Sequence, residues 1–398
     1  MKSNSVLFCA ALMVVLFSCK KQEEAKINSN LARAQLTLDS LYACYGVADS
    51  PLLRENYPFD DKYSASYLAT AEVSDIPNQY SYLWPYSGTF SAVNVLLEVT
   101  GDSKYKDLLD TKVLPGLEMY FDNVRTPAGY ASYINTASQS DRFYDDNVWL
   151  GIDFTDIYIV TKQQSYLDKA KMIWNFVMSG ADDQLGGCIY WCEQKKESKN
   201  TCSNAPGSVF ALKLFQATGD SMYFMQGKQL YDWTKAHLQD ATDYLYFDNI
   251  RLDGSIGEAK YAYNSGQMMQ AAALLYKLTK DEVYLHESQE IAKSCYRYFF
   301  ADFKSPDGES FRVVKPGDVW FTAVMMRGFI ELYNIDKDKI FINAFRQNLD
   351  YTWSHTRDNK GLFEKDFRGE IKDDTKWLLT QAAMVEMYAR MAMIKDKL

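Results

Sequence analysis

Apolar residues return along this chain every three to four positions, the spacing of helices that bury one face, and the helical runs fall into a repeating frame. The frame reads "LLEVTGDSKY" ending at Tyr105, "IYIVTKQQSY" at Tyr166, "LFQATGDSMY" at Tyr223, "LYKLTKDEVY" at Tyr284 and, more loosely, "LYNIDKDKIF" at Phe341. Each is the end of one helix, a short polar turn, and an aromatic residue opening the next helix. The turn residues Thr100, Thr161, Thr218, Thr279 and Asp336 are separated by 61, 57, 61 and 57 positions, enough for two helices and two loops. One more step lands near Lys395, just after "LLTQAAMVEMYARMAMI", so the sixth unit stops at its turn. The N-terminal segment "LARAQLTLDSLYACYG", with Leu31, Leu38, Leu41 and Tyr45 at helical spacing, can supply the missing helix.

Six hairpins whose termini complete one another predict an all-α fold, a closed (α/α)6 toroid. Repeats of this length also build open solenoids, but those need polar-faced caps, and both terminal helices here are apolar on one face. Only nine prolines occur in 398 residues, none in the best helical runs, in agreement with helices throughout. No Gly/Ser-rich linker follows residue 35, so residues 31–398 read as a single domain.

The first thirty residues are of another kind. Lys2, an apolar run from Val6 to Phe17 and a small residue before a cut describe a secretory signal over residues 1–18. The run is too short to span a bilayer, which takes roughly 20 apolar residues. Leu16-Phe17-Ser18-Cys19 resembles a bacterial lipobox, which makes Cys19 the lipidated first residue of the mature chain. Residues 19–30, "CKKQEEAKINSN", are charged and aperiodic, as a tether is. Their basic-then-acidic order resembles surface-export signals of Bacteroidetes lipoproteins. The expected location is the outer membrane, anchored by lipid and facing outward in preference to the periplasm.

Past Cys19 five cysteines remain, Cys44, Cys188, Cys192, Cys202 and Cys295, an odd number that excludes a complete disulfide framework. "CIYWC" with Cys202 could hold one bridge or none, and with no histidine nearby it is no zinc site. A net charge of −9 argues against nucleic acid and other polyanions. Aromatic residues make up 15% of the chain, with 29 Tyr and 8 Trp, and their apolar faces and polar edges suit the stacking of sugar rings.

In a toroid the segments leading into inner helices form the mouth. These are "YSYLWPYSGTFSAVN", "SDRFYDDNVWLGIDF", "CIYWCEQKKESKNTCSNAPGSVF", "AKYAYNSGQMMQAA", "VVKPGDVWFTAVMM" and "IKDDTKWLLTQAAM". Each places Trp, Tyr, Asn or Asp just before an apolar run. His237, His286 and His355 stand far apart, and the chain has no HExxH, GxSxG, P-loop or dinucleotide fingerprint, so neither metal nor cofactor is expected. Carboxylates are left, and glycosidic hydrolysis needs two, one protonated and one ionised. Adjacent carboxylates help, because the first ionisation makes the second harder.

Four Asp-Asp pairs occur. Asp182-Asp183, in "GADDQLGG", reads as a turn, Asp60-Asp61 as solvated, and Asp373-Asp374 as a cap or a subsite wall. Asp145-Asp146 could equally cap a helix, whose dipole favours acidic groups at its start. Phe143, Tyr144 and Trp149 would wall this pair, and that favours chemistry over capping.

"YDDNVWLGIDF", "GGCIYWCE", "SNAPGSVFALKLFQATGD", "YAYNSGQMMQAAALLYKLT" and "WLLTQAAMVEMYA" together resemble glycoside hydrolase family 76, the α-1,6-mannanases, from about Trp84 to the C-terminus. The resemblance implies the (α/α)6 fold and retaining endo-hydrolysis of α-1,6-mannan, the yeast-type backbone. It implies Asp145 as nucleophile and Asp146 as acid/base. It also implies Asp248, Asn204, Tyr263 and Asn264 as polar contacts to sugar, with Trp84, Tyr144, Trp149, Trp191, Trp320 and Trp377 as aromatic walls. Asn147 departs from the Glu or Gln frequent at that position, a change expected to adjust a subsite. A monomer acting on polysaccharide is expected. Mannan transglycosylation with the same aspartates, and a non-catalytic glycan-binding lipoprotein, are the competing readings. A sugar epimerase would need histidines that the chain lacks.

Overall fold

A computed structural model describes residues 29–65, 67–69 and 78–394. The expected signal peptide, Cys19 and nearly all of the expected tether lie outside the described residues. Among the described residues twelve helices follow in order. The first six are α1 (Asn30–Tyr45), α2 (Leu83–Thr100), α3, α4 (Tyr144–Thr161), α5 (Gln164–Met178) and α6 (Thr201–Thr218). Helix α3 is a composite of Ser103–Leu108, a π turn over Leu109–Val113, and Leu114–Glu118. Then come α7 (Ser221–Leu238), α8 (Ala262–Thr279), α9 (Glu282–Phe299), α10 (Val319–Asp336), α11 (Ile340–His355) and α12 (Leu378–Met393).

Burial sorts these helices into two rings. Even-numbered helices carry small and apolar residues around their whole circumference; in α8 every residue from Ala262 to Leu275 is buried. Odd-numbered helices bury one stripe, as α9 does with Ser288, Ile291, Ala292 and Cys295. A helix apolar all round has to be surrounded. Accordingly α2, α4, α6, α8, α10 and α12 pack each on the next, and α12 packs back on α2. The chain's first helix, α1, lies against α12 and completes the sixth hairpin, as the repeat predicts. The (α/α)6 barrel is therefore closed.

Each repeated turn has one physical core. The residue after Thr100, Thr161, Thr218, Thr279 or Asp336 adopts the left-handed conformation, with φ of 62° at Gly101, 58° at Lys162, 73° at Gly219, 62° at Lys280 and 60° at Lys337. Its N–H closes the helix on the carbonyl four residues back. Where lysine replaces glycine, its ammonium sits over the ring of Tyr158, Tyr276 or Tyr333, at 5.5, 5.5 and 5.3 Å, which offsets part of the backbone cost. These turns gather at one end of the barrel. The starts of the inner helices gather at the other.

Four small antiparallel sheets edge that second end, and the helical period alone does not reveal them. They are β1 (Asn56–Tyr57) with β10 (Lys376–Trp377), β2 (Phe121–Asp122) with β3 (Gly129–Tyr130), and β8 (Phe300–Lys304) with β9 (Ser310–Val314). The fourth sheet has the order β4 (Tyr190–Cys192), β5 (Lys195–Asn200), β6 (Phe247–Arg251), β7 (Ile256–Lys260). Three prolines also sit further into helices than the sequence reading allowed. Pro85 lies in the first turn of α2, where a missing N–H costs nothing, Pro115 lies in α3 just after its π turn, and Pro206 lies inside α6. All five described cysteines are free thiols.

The inner ring is tight enough to be tested at one residue. A Cβ on Gly266 of α8 would stand 2.4 Å from the Met325 Cα of α10, and one on Gly328 would stand 2.3 Å from the Gly266 carbonyl oxygen. The two helices meet backbone to backbone, with no side chain able to yield. Gly266→Ala is expected to destabilise the fold by about 3 kcal/mol, the upper range for overpacking, read from the urea unfolding midpoint.

Candidate active site

Helix α4 starts at Tyr144, after Phe143 leaves the chain extended at φ −89° and ψ 132°. Asp145 and Asp146 thus occupy the first turn at the barrel mouth, yet neither side chain is the N-cap. Asp145 Oδ1 accepts the Asp146 N–H at 3.1 Å, and Oδ2 accepts the Trp191 indole N–H at 3.2 Å. The buried Cys202 thiol stands beside Asp145. Burial pushes both carboxyls above the usual range; on Asp145 Cys202, the Asp146 amide and Trp191 oppose it. Among the described residues no such donor reaches Asp146, and burial and the charge of Asp145 raise it well above the usual range. The donors thus favour the charge on Asp145 and the proton on Asp146.

Aromatic residues enclose the pair. Tyr67, Trp84, Phe143, Trp149, Trp191, Tyr263, Trp320 and Phe321 line one pocket with Asp145 and Asp146. Trp149 and Trp320 meet edge to face at 4.8 Å and form its floor. Trp84 stands edge-on to Trp320 at 5.7 Å, and Trp377 to Trp84 at 5.2 Å, which extends one wall outward. Opposite, Phe143 and Trp191 are 4.9 Å apart. Tyr263 stacks on Phe321 at 4.0 Å and 13°. Larger cavities exist, but the one at the other end of the barrel is lined mainly by charged and polar groups such as Lys213, Arg327 and Arg390.

Behind the pair, Arg142 is fully buried. Its Nε donates to Glu193 Oε2 at 2.7 Å and its Nη1 to the Pro127 carbonyl at 2.8 Å. One guanidinium thereby ties the start of α4 to the β4–β5 turn, which carries Trp191 beside Asp145.

Several residues picked from the sequence do different work. Tyr144 is buried away from the pocket, its ring stacked on Phe176 at 5.1 Å and lying over Gly180. One residue along a helix turns about 100°, so Tyr144 faces α5 while Asp145 and Asp146 face the mouth. Asn204 is also spent on structure: it accepts the Ile189 N–H at 2.8 Å and donates to the Ile189 and Asn200 carbonyls at 2.9 Å each. Asn147 brackets Tyr130 in the same way, with the Tyr130 N–H on Oδ1 and Nδ2 on the Tyr130 carbonyl. It is fully buried and adjusts no subsite. Asp248 accepts from Asn249 at 2.7 Å, with Asn264 beside it, and stands near Tyr263 and Cys202 at the back of the site. Asp182 does sit in a turn, Asp60 and Asp61 are exposed, and Asp373 accepts the Lys365 amide N–H away from the pocket. Tyr67, Cys202 and Phe321 carry no motif that sequence reading could have found.

A carboxylate pair inside an aromatic cleft, at the mouth of an (α/α)6 barrel, is built for a neutral, ring-shaped ligand such as a glycan. The family model for glycosyl hydrolase family 76 matches residues 59–308, and this chain belongs to that family. A family 76 glycoside hydrolase (mannosidase) from Bacteroides thetaiotaomicron is 33% identical, with a TM-score of 0.83 over 92% of this chain and 98% of that one. The α-1,6-mannanase GH76A of Salegentibacter sp. HEL1_6 is 23% identical, with a TM-score of 0.73 over 92% of this chain and 99% of that one. Its structure is of an inactive variant, two consecutive aspartates changed to asparagine, in complex with α-1,6-mannotriose. The mannan endo-1,6-α-mannosidase DFG5 of Candida albicans is 25% identical over 154 residues, 35% of this chain. The match spans 34% of that relative, and 51% of a Schizosaccharomyces pombe protein named for the same activity.

The buried pair costs stability whenever it ionises. Folded-state pKa values raised above the unfolded ones mean that the favourable, protonated condition is complete at acidic pH and is lost as pH rises through the folded values. Asp146→Asn cannot ionise. It is expected to raise the thermal midpoint relative to wild type at pH 8 and to leave it unchanged at pH 4, measured by calorimetry at both pH values.

Proposed function

We propose that the chain hydrolyses α-1,6-mannosidic linkages within mannan, with retention, Asp145 being the nucleophile and Asp146 the acid/base. The observation that carries the reading is the setting of the pair: two buried carboxyls in an aromatic cleft, Asp145 accepting the Trp191 indole N–H and the Asp146 amide. In the first step Asp145 attacks the anomeric carbon, the glycosidic C–O bond breaks, and the Asp146 proton goes to the departing oxygen. In the second step the Asp146 carboxylate takes a proton from water, whose oxygen attacks the same carbon and frees Asp145. The Trp191 indole N–H holds the attacking carboxylate in place, and Trp149 and Trp320 give the sugar an apolar face to rest on. Retention follows from the family resemblance of the adjacent pair. The inactivated aspartate pair and bound mannotriose of the Salegentibacter relative support the assignment of pair and substrate.

Asp145→Asn and Asp146→Asn are each expected to cut release of manno-oligosaccharides from debranched yeast mannan by about 10²–10⁴-fold or more, with unchanged circular dichroism. Wild-type activity in both variants ends the assignment. Products longer than the substrate would establish transglycosylation instead, and binding without turnover would make the chain a glycan-binding protein.

We also propose that lipid on Cys19 holds the domain on the outer membrane, facing outward, where a large glycan is reachable. Cys19→Ala is expected to move the protein from the membrane to the soluble fraction. Proteinase K added to intact cells is expected to degrade the wild type, and full protection would place it on the periplasmic side.

A further inference from the structure

Glu55 lies in the segment between α1 and α2, outside every motif, and is 3% exposed. Five donors converge on its carboxylate. Oε1 accepts from the Tyr63 hydroxyl at 3.1 Å, the Tyr67 hydroxyl at 2.7 Å and the Trp377 indole N–H at 3.2 Å. Oε2 accepts from Asn78 Nδ2 and the Tyr82 N–H, each at 3.0 Å. All five are neutral groups, so among the described residues the carboxylate is held by hydrogen bonds. A carboxylate offers about four lone-pair sites and no donor, and here that capacity is filled.

One of these side-chain donors, Tyr67, lines the pocket, and a second, Trp377, packs against it. Tyr67 lines the pocket with Asp145 and Asp146, and its ring stands edge-on to Trp84 at 5.2 Å and tilted on Trp377 at 5.9 Å. Tyr67 is in no helix or strand, so its ring orientation depends on what its hydroxyl and ring touch. The backbone around Glu55 is fastened independently: the Leu53 carbonyl accepts the Ser81 N–H and the Glu55 carbonyl accepts the Leu378 N–H, both at 2.8 Å, and β1 pairs with β10. The seam between the first and sixth hairpins is therefore closed without the carboxylate. Besides bonding the Tyr82 N–H, Asn78 and Tyr63, the carboxylate sets the Tyr67 and Trp377 rings.

We propose that Glu55 is a positioning residue for the glycan-binding wall, holding Tyr67 and Trp377 by their polar edges so that their faces, with Trp84, meet the sugar. The role rests on the mannanase reading for its substrate. Glutamine cannot replace it in full: its NH2 would meet Asn78 Nδ2 and the Tyr82 N–H on one side, or the Trp377 indole N–H on the other, and none of these can accept. Losing one bond to a charged group is worth about tenfold or more in an equilibrium constant.

The test uses the full domain and α-1,6-mannotetraose, with Tyr67→Phe, Glu55→Gln and both together. Each single change is expected to raise KM about tenfold and to move kcat less than about threefold. The double variant is expected to be no worse than Glu55→Gln alone, because Tyr67 acts through Glu55. A merely structural Glu55 would lower the thermal midpoint and leave KM as in wild type, and that result overturns the proposal. Losses that multiply in the double variant also overturn it. Tyr67→Phe removes a single hydroxyl and decides the matter if Glu55→Gln does not fold. A wild type inert toward the tetrasaccharide would sink the mannanase reading instead. Glu55 would then be judged by hydrogen exchange of the Trp377 indole N–H, faster in Glu55→Gln if the role is right and unchanged if it is wrong.

Discussion

The structure depends on a constraint set by its inner helices: each is buried over most of its circumference and cannot end a row. Six such helices can be buried only by closing on themselves, which here means α12 packing back on α2. The seam is where the first and last described helices meet. Helix α1 covers α12, and the segment from Leu53 to Tyr57 fastens the starts of α2 and α12 together. Small residues let the ring draw in to backbone contact at Gly266 and Gly328. The buried charge at Glu386 is paired within the ring. Arg327 donates twice to Glu386, at 2.7 and 2.8 Å, and although burial would raise that carboxyl, Arg327 and Arg390 hold it down to about 2.

Closure also makes the site. Six helix starts converge on one mouth, and each arrives through a loop that carries aromatic residues. On α4 a single stripe, Asp146, Trp149, Asp153 and Asp156, follows helical spacing along the axis. Its upper end is the candidate acid, and the next residue down is the pocket floor. Below, Ser91 donates to Asp153 at 2.5 Å, and burial lifts that carboxyl to about 7. One helix face thus joins the cleft to the charged interior. The carboxylate pair is destabilising where it stands, and the surrounding barrel is large enough to hold it.

Helical content, hairpin count and closure were all legible, because a period near 59 and two one-sided terminal helices leave little other geometry. Asp145-Asp146 was legible from its aromatic neighbours and the family resemblance, and Trp84, Trp149, Trp191 and Trp320 do line the pocket with it. Tyr144 was misread because adjacency in sequence is not adjacency on a helix face. Asn204 and Asn147 were misread because an amide near a mouth looks the same whether it meets sugar or brackets a strand. The strands they bracket are too short to show an alternating pattern. Glu55 was invisible for a related reason: its partners Tyr82 and Trp377 are 27 and 322 residues away in the chain.

By itself the sequence determined the periodic quantities. Helix lengths, the five left-handed turns, the inner and outer rings and the chemistry available at the mouth all follow from residue types at fixed spacing, which act locally. Only the tertiary structure decided direction and partnership. It turned Tyr144 into the core and Trp191 onto Asp145, spent Asn204 on backbone, and brought five neutral donors to Glu55. Those outcomes depend on distances between segments far apart in the chain, and no local pattern encodes them. The ring sets them when it closes.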